Sequence, residues 1–126
     1  MRVATGERLR FGRGAHLKAG RDFNRLRRQG ERLVCGCLIA NWRESAPASA
    51  SRLGVITGAR IGNAVVRSRA RRLLRESFRL HQHELARPLD LVLVARPSIA
   101  GKAFAEVERV FLTTLRKAGL LKGTRG

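Results

Sequence analysis

The sequence predicts a small, basic α/β protein built as one domain. Three observations support this fold class. A chain of 126 residues has the length of a single domain. Short apolar runs typical of strands alternate along it with segments whose apolar residues recur at helical spacing. Lys and Arg number 27 against 9 Asp and Glu, which gives a formal net charge of +18 and a strongly positive surface.

The N-terminal third is predicted to contain a tail, a helix and a strand. Residues 1–15 are interpreted as a flexible basic tail, and residues 19–29 as a short helix that ends at Gly30. The apolar run at residues 33–42 is typical of a strand. The small residues at 44–51 predict the loop that follows it.

A strand, a turn, a helix and a second strand are predicted next. Residues 52–57 form the first strand, and residues 58–62 form a glycine-containing turn. The longest helix follows at residues 63–85, with Asn63 as its N-cap. Residues 89–95, with the sequence LDLVLVA, are the clearest buried strand in the chain.

An amphipathic helix at residues 102–118 is predicted to close the domain and to end at Gly119. Residues 120–126 are interpreted as a second flexible tail. The apolar stripe of the helix is expected to be core, and it consists of Phe104, Val107, Phe111, Leu115 and Ala118.

The longest helix carries a row of arginines along one side. Arg67, Arg71, Arg75 and Arg79 recur at i+4, and Arg72 lies alongside them. The opposite side is mostly apolar and comprises Val66, Ala70, Leu73, Leu74, Ser77 and Leu80. Guanidinium groups at this spacing repel one another unless an anion covers them, and nucleic-acid phosphate is the expected anion.

The dominance of arginine favours nucleic acid over a membrane surface as the partner. The planar guanidinium matches phosphate and stacks on bases, whereas surface binding to lipid needs a helix with exposed apolar bulk. The longest uncharged apolar run, residues 33–40, is too short to span a bilayer. Arginines near the N-terminus faintly suggest a transit peptide, but glycines and Glu7 interrupt any amphipathic helix there. A cytoplasmic protein is therefore expected.

Two cysteines and two histidines could be mistaken for a reactive or metal site. Cys35 and Cys37 would point to one face of a strand and pack there, and the two further ligands of a zinc site are not evident. His81 and His83 could be ligands or bases, but a solvated helix end is the favoured interpretation. No nucleophile with its base, phosphate-binding glycine loop or paired carboxylates is recognisable. Neither catalytic residues nor metal ligands are predicted on this chain.

Residues 62–79, GNAVVRSRARRLLRESFR, closely resemble the signature of the bacterial ribonuclease P protein subunit. That signature has a glycine-asparagine-alanine-valine start, an arginine-asparagine-arginine core, a basic pair and an Arg-Glu-x-Phe-Arg end. The similarity extends to RLGVITGARIG at residues 52–62, HLKAGRDFNRLRRQG at 16–30 and LDLVLVARP at 89–97. It covers roughly residues 16–118.

The resemblance implies a fold and a role. The fold is a two-layer α/β (α+β) sandwich over residues 16–119, with a central sheet, an N-terminal helix, the arginine-rich helix in a left-handed βαβ crossover, and a C-terminal helix. The role is that of the protein subunit of an endoribonuclease, which removes the 5′ leader of precursor tRNA. The partner RNA is expected to carry the active site and its Mg²⁺ ions, while the protein grips the leader. No small-molecule substrate is implied.

The resemblance also assigns two RNA-contacting surfaces. Positions that match the contact with the catalytic RNA are Arg60, Asn63, Arg67, Ser68, Arg69, Arg71, Arg72 and Arg75. Positions that match the leader cleft are Phe23, Arg27, Leu38 and Arg96. Arg69 lies off the main row, so it is expected to reach RNA from another angle or to support the helix. Phe23 fits a core anchor as well as a base-stacking residue. Glu76 could pair with Arg72 at i+4 and neutralise part of the row.

The chain departs from the signature at several positions. Ser68 replaces the central asparagine, and residues 58–59 are Gly-Ala instead of a Ser-Lys pair. Arg27 stands where the first helix usually has a second aromatic residue, and aromatics expected on the cleft strand appear as Leu38 and Asn41. Leader binding is therefore expected to depend more on charge than on stacking, and to weaken steeply as salt rises.

Two other classes of function stay open at this point. A generic RNA-binding or ribosomal protein would explain the charge but not the extended ordered match. A DNA-binding protein with a basic recognition helix is less favoured, because the chain has neither a helix-turn-helix pattern nor heptads.

Overall fold

The computed structural model describes residues 30–46 and 50–123. The elements formed by these residues are β1 (Glu31–Cys35), β2 (Leu38–Glu44), β3 (Arg52–Ile56), α1 (Ala64–His81), β4 (Leu89–Ala95) and α2 (Phe104–Lys117). Short 3-10 turns occur at Ala59–Ile61, Gln82–Glu84 and Pro97–Ile99. The predicted tail at residues 1–15 and the predicted helix at 19–29 lie outside the described residues.

The strands form one mixed sheet in the order β1-β2-β4-β3. β2 pairs antiparallel with both β1 and β4, whereas β3 pairs parallel with β4. α1 connects β3 to β4, so the two parallel neighbours and the helix form a βαβ unit. The predicted α+β fold with its crossover helix is confirmed, and the left hand of the crossover stays a prediction.

The hydrophobic core lies between one face of the sheet and the two helices. Side chains alternate along a strand, so every second residue of β2 and β4 points to this face. The helices contribute their apolar stripes, including the fully buried Phe78 and Leu74 of α1 and Phe111 of α2. The sheet contributes Leu38, Ala40, Leu53, Leu89, Leu91 and Leu93. The exposed side of α1 is thereby fixed, because burying its apolar stripe turns the other side to solvent.

Residues 33–42 do not form the single strand that the sequence predicted. β1 and β2 are the arms of a hairpin, and a two-residue turn at Gly36 and Cys37 joins them. Gly36 has a φ of 55°, and a Cβ there would lie 3.2 Å from a methyl group of Val110. The turn was missed because it lacks the Asn, Asp or Pro that usually marks one. Cys35 therefore ends β1 and Cys37 lies in the turn, so the two cysteines do not share a strand. Cys37 is buried, and this burial raises the pKa of its thiol.

The predicted start of α1 is confirmed, and its predicted end is not. The Asn63 side chain accepts a hydrogen bond from the backbone N–H of Val66 at 3.0 Å, as an N-cap does. The α-helix ends at His81, and the chain continues through the 3-10 turn at Gln82–Glu84 instead of running helically to residue 85.

Replacing Asn63 by alanine is expected to lower the free energy of unfolding by about 1 kcal/mol, because the Val66 N–H loses its acceptor. Urea unfolding measures this change. Asn63→Ser is the matched control, since a serine hydroxyl can cap the same N–H. Equal losses of stability in the alanine and serine variants would show that the loss does not come from the capping hydrogen bond.

The predicted C-terminal tail at residues 120–126 begins too early. Leu120 and Leu121 are 1% and 8% exposed. Leu121 forms a β-bridge with Leu85, and the backbone N–H of Ala86 donates to the Leu120 carbonyl at 2.8 Å. These contacts close the domain over the end of the 3-10 turn that follows α1, so the folded unit extends beyond residue 119.

Candidate nucleic-acid interface

The arginines of α1 occupy two environments. Four residues at about 100° each overshoot a full helical turn by about 40°, so a row at i+4 drifts around the axis. The row therefore starts at the edge of the core with Arg67 and Arg71, which are partly buried, and reaches solvent at Arg75. The predicted row is present, but its members are not equivalent.

The arginines at the start of the row are bound by the protein itself. The Arg67 guanidinium donates a hydrogen bond to the Gly62 carbonyl at 2.7 Å. The Arg71 guanidinium donates to the Thr57 hydroxyl at 2.7 Å and to the Ser68 hydroxyl at 3.1 Å. Both side chains therefore connect α1 to the segment between β3 and the helix.

Three arginines form the exposed basic surface of α1, namely Arg69, Arg72 and Arg75. Within residues 30–46 and 50–123, none of the three has a hydrogen-bond or ion-pair partner. Val65 lies one and two helical turns before Arg69 and Arg72, and its side chain is 76% exposed. Arg69, which the sequence placed off the main row, is thus part of the most accessible face. Cations with no protein partner can meet an external anion without first breaking an ion pair.

Glu76 pairs with Arg79, and not with Arg72, which was the alternative that the i+4 spacing left open. The Arg79 Nε donates to a Glu76 carboxylate oxygen at 2.9 Å, and a second contact makes the pair bidentate. The hydrogen bond from Arg79 lowers the pKa of Glu76. Arg72 keeps its full charge available to solvent. The single glutamate of the helix therefore neutralises its C-terminal arginine and leaves the exposed surface unchanged.

An open groove of about 340 Å³ follows this side of the helix. Its lining residues are Ser68, Arg71, Arg72, Arg75, Glu76 and Arg79. It connects the arginines that are bound by the protein to those that are exposed. Such a concave, strongly cationic surface suits a segment of phosphodiester backbone.

His81 is clamped between two glutamates at the end of α1. Its Nδ1 lies 2.6 Å from Glu84 Oε2, and its Nε2 lies 2.7 Å from Glu108 Oε2 on α2. A carboxylate has no proton to donate, so this arrangement favours the imidazolium form, in which both ring nitrogens donate. Burial alone would lower the pKa of His81, but the hydrogen bonds and charges of Glu108 and Glu84 outweigh it and raise the pKa. The predicted solvated helix end holds for the exposed His83 and is wrong for His81.

The stability of the fold is expected to fall as pH rises above about 6.5, the ordinary pKa of histidine. The raised pKa of His81 means that its clamp is fully present below that value and is lost as pH rises through the folded-state pKa. Thermal melting is measured from below pH 6.5 to about pH 9. The melting temperature of wild type should exceed that of His81→Gln at low pH, and the difference should narrow as pH rises. His83→Gln is the control and should keep the wild-type profile. A gap of constant size up to about pH 9 would contradict the prediction.

The predicted leader-contacting residues are not brought together within the described chain. Phe23 and Arg27 lie outside the described residues. Leu38 is fully buried on the helix-covered face, so its side chain cannot contact a bound strand and its assignment is corrected. Arg96 is exposed, and its guanidinium donates to the Gly36 carbonyl at the hairpin turn at 3.1 Å.

The face of the sheet that points away from the two helices, called the second face from here on, has polar side chains at its centre. Asp90 receives a bidentate hydrogen bond from Arg52, at 3.0 and 2.9 Å, and a second guanidinium, that of Arg43, lies 3.9 Å away. Asn41 and Val92 are buried on the same face, at 4% and 2% exposure. Two cations therefore surround one carboxylate, and this face keeps a net positive charge.

Neither a metal centre nor a membrane span is found in the described residues. No group of three or more His, Cys, Asp and Glu side chains in residues 30–46 and 50–123 could hold a metal ion. None of the helices in this part of the chain has the length and apolar content needed to cross a bilayer.

Comparison with known proteins decides the family. The model of the ribonuclease P family matches residues 11–119 of this chain. The chain belongs to the ribonuclease P family. The ribonuclease P protein component of Roseiflexus castenholzii is 36% identical over 114 residues, which cover 88% of this chain and 91% of the relative. That of Syntrophomonas wolfei is 35% identical over 106 residues, which cover 84% and 88%.

Solved ribonuclease P proteins share the fold. The protein from Staphylococcus aureus superposes with a TM-score of 0.78 at 21% identity, covering 86% of this chain and 98% of its own. The protein from Thermotoga maritima gives a TM-score of 0.73 at 24% identity, covering 81% and 96%. Both matches concern the fold alone. The strand order, the family match and these superpositions all support the ribonuclease P fold for this chain.

Several residues of the candidate interface and its surroundings were missed by sequence reasoning. Thr57 was assigned only to a strand, although its hydroxyl binds Arg71. Val65 was not singled out, because one apolar residue at the start of a helix is usually core. Glu108 meets His81 from a helix 27 residues further along the chain. No local sequence pattern predicts a contact between residues so far apart in the chain.

Proposed function

We propose that this chain is the protein subunit of a ribonuclease P holoenzyme, and that the exposed arginines of α1 dock it onto the catalytic RNA. The observation that carries the proposal is the surface of Arg69, Arg72 and Arg75, which has no protein partner in the described part of the chain. A chain with a formal charge of +18 gains most from a polyanion that meets such groups. Family membership supports the RNA of the same enzyme as that polyanion.

The catalytic groups of the reaction are assigned to the RNA. Four acidic side chains of the described residues are engaged within the protein: Asp90 with Arg52, Glu76 with Arg79, and both Glu84 and Glu108 with His81. The Mg²⁺ ions of the reaction would therefore be held mainly by RNA phosphates. By covering phosphates with arginine, the protein lowers the repulsion that Mg²⁺ must otherwise screen.

We assign the 5′ leader of precursor tRNA to the β1 edge of the second face of the sheet, because the centre of that face is buried at Asn41, Asp90 and Val92. None of the described strand residues on this face is aromatic. Its β1 edge is accessible, with Arg32 exposed and Val34 43% exposed, and Arg96 lies at the hairpin turn. The absence of rings from these strands supports leader binding through charge rather than through stacking.

Reconstitution with the catalytic RNA of the same organism tests the proposed function. Cleavage of precursor tRNA should be faster with the protein than without it when Mg²⁺ is limiting, and the difference should shrink as Mg²⁺ is raised. Substrates with a long leader and with a one-nucleotide leader separate the two surfaces, because only the long leader can reach the sheet. An unchanged rate at limiting Mg²⁺ would reject the subunit role. Equal affinity for the two substrates would reject the leader assignment alone.

A further inference from the structure

Arg71 is held at two points at the junction of β3 and α1. Its Nη1 donates to Thr57 Oγ1 at 2.7 Å, and its Nη2 donates to Ser68 Oγ at 3.1 Å. Thr57 is the residue after β3, and Ser68 lies one helical turn before Arg71. The two bonds use both terminal nitrogens, so they fix the plane of the guanidinium as well as its position.

A guanidinium fixed in this way still has donors for a ligand. Arginine carries five N–H groups, and the two hydroxyls use two of them. Arg71 and Ser68 also line the open groove of α1, so the remaining donors border a space that an anion can enter. A side chain already held in one orientation loses less conformational freedom when it binds, which increases affinity.

We propose that Thr57 and Ser68 are positioning residues, which hold the Arg71 guanidinium so that it receives a phosphate of the bound RNA in the groove. This inference rests on the proposed docking of α1 to RNA. It separates the arginines into two kinds. Arg71 is an oriented contact with a fixed geometry, whereas Arg69, Arg72 and Arg75 are free to follow the backbone of the RNA.

Variants of Thr57 test the positioning role. Thr57→Val keeps the branched shape and removes the acceptor, and Thr57→Ser keeps the acceptor. We expect Thr57→Val to weaken binding of the cognate catalytic RNA about three- to tenfold at fixed salt, and Thr57→Ser to restore wild-type affinity. Thr113→Val on α2 is the matched control, because Thr113 is also partly buried and lies far along the chain from the groove. Melting temperatures of all variants are measured alongside.

A double-mutant cycle with Arg71→Ala separates positioning from general support of the fold. If Thr57 acts through Arg71, Thr57→Val should have no further effect on RNA affinity in the Arg71→Ala background. Ser68→Ala at an exposed helical position provides the same cycle with little risk to folding. An effect of equal size in both backgrounds, or a loss that serine at position 57 does not restore, would overturn the inference.

The outcomes also distinguish this inference from the proposed function. If the wild-type chain binds the catalytic RNA and Arg71→Ala weakens it while the hydroxyl variants do not, the positioning role fails and the docking role stands. If Arg71→Ala has no effect, Arg71 is not a contact and the positioning role again fails. If the wild-type chain shows no preference for the catalytic RNA over duplex RNA of equal length, both fail.

Discussion

Replacing Arg69, Arg72 and Arg75 together by alanine is expected to weaken binding of the catalytic RNA by at least about a hundredfold. A hydrogen bond that involves a charged group contributes roughly 1.5–3 kcal/mol, and three such contacts would be lost. Because all three side chains are exposed, the fold should be unaffected. Filter binding at several salt concentrations measures both the affinity and the salt slope. The slope of log affinity against log salt should become shallower by roughly 2 to 3.

The control for this variant removes the same charge from another surface. Arg109, Arg116 and Lys117 are exposed on α2, and their replacement by alanine also lowers the net charge by three. That variant should lose only the nonspecific part of the attraction. If the two triple variants weakened binding equally, net charge alone would explain the affinity, and the docking surface on α1 would be rejected.

Replacing Phe78 by alanine is expected to lower the free energy of unfolding by about 3–5 kcal/mol. The ring is fully buried between α1 and the sheet, so its removal leaves a cavity in the core. The free energy of unfolding of a small domain is roughly 5–15 kcal/mol in total. The variant would therefore lose a large fraction of its stability. Urea unfolding gives the change from the shift in midpoint.

Val65→Ala is the matched control for Phe78→Ala. Both residues lie on α1, but the Val65 side chain is 76% exposed. Its truncation should change the unfolding free energy by less than about 0.5 kcal/mol. Similar losses in the two variants would mean that α1 is not packed as described. The Phe78 variant should also bind RNA less well at temperatures where it begins to unfold, because the arginines need the helix to share a face.

Much of the fold could be predicted because local patterns agreed with tertiary packing. Residues 89–95 are apolar except for Asp90, and β4 has those bounds because it lies between β2 and β3 in the sheet. Asn63 caps α1 as its position after Gly62 indicated. The hairpin at Gly36 could not be predicted from the apolar pattern, because the residues on both sides of the turn are apolar or small. That error also concealed which face of the sheet Leu38 occupies.

The candidate site was predictable in its location and not in its detail. Helical spacing placed the arginines on one helix, and the resemblance assigned them to RNA. Which arginines lack a protein partner depends on side-chain contacts that spacing does not define. The Thr57 hydroxyl accepts a hydrogen bond from Arg71, and Glu76 pairs with Arg79 in preference to Arg72. The clamp on His81 depends on α2, which approaches only when the core forms. Sequence spacing carries no information on contacts of that kind.

The strand order has a consequence for the synthesis of the protein. β4 separates β2 from β3, yet it is made after both of them and after α1. A chain that emerges from the ribosome with its N-terminus first cannot complete the sheet until β4 appears. Until then the apolar side of α1 lacks the strand that joins β3 to the β1–β2 hairpin. A nascent chain that stops before Leu89 therefore contains the arginines of α1 but not the surface that they form in the finished domain.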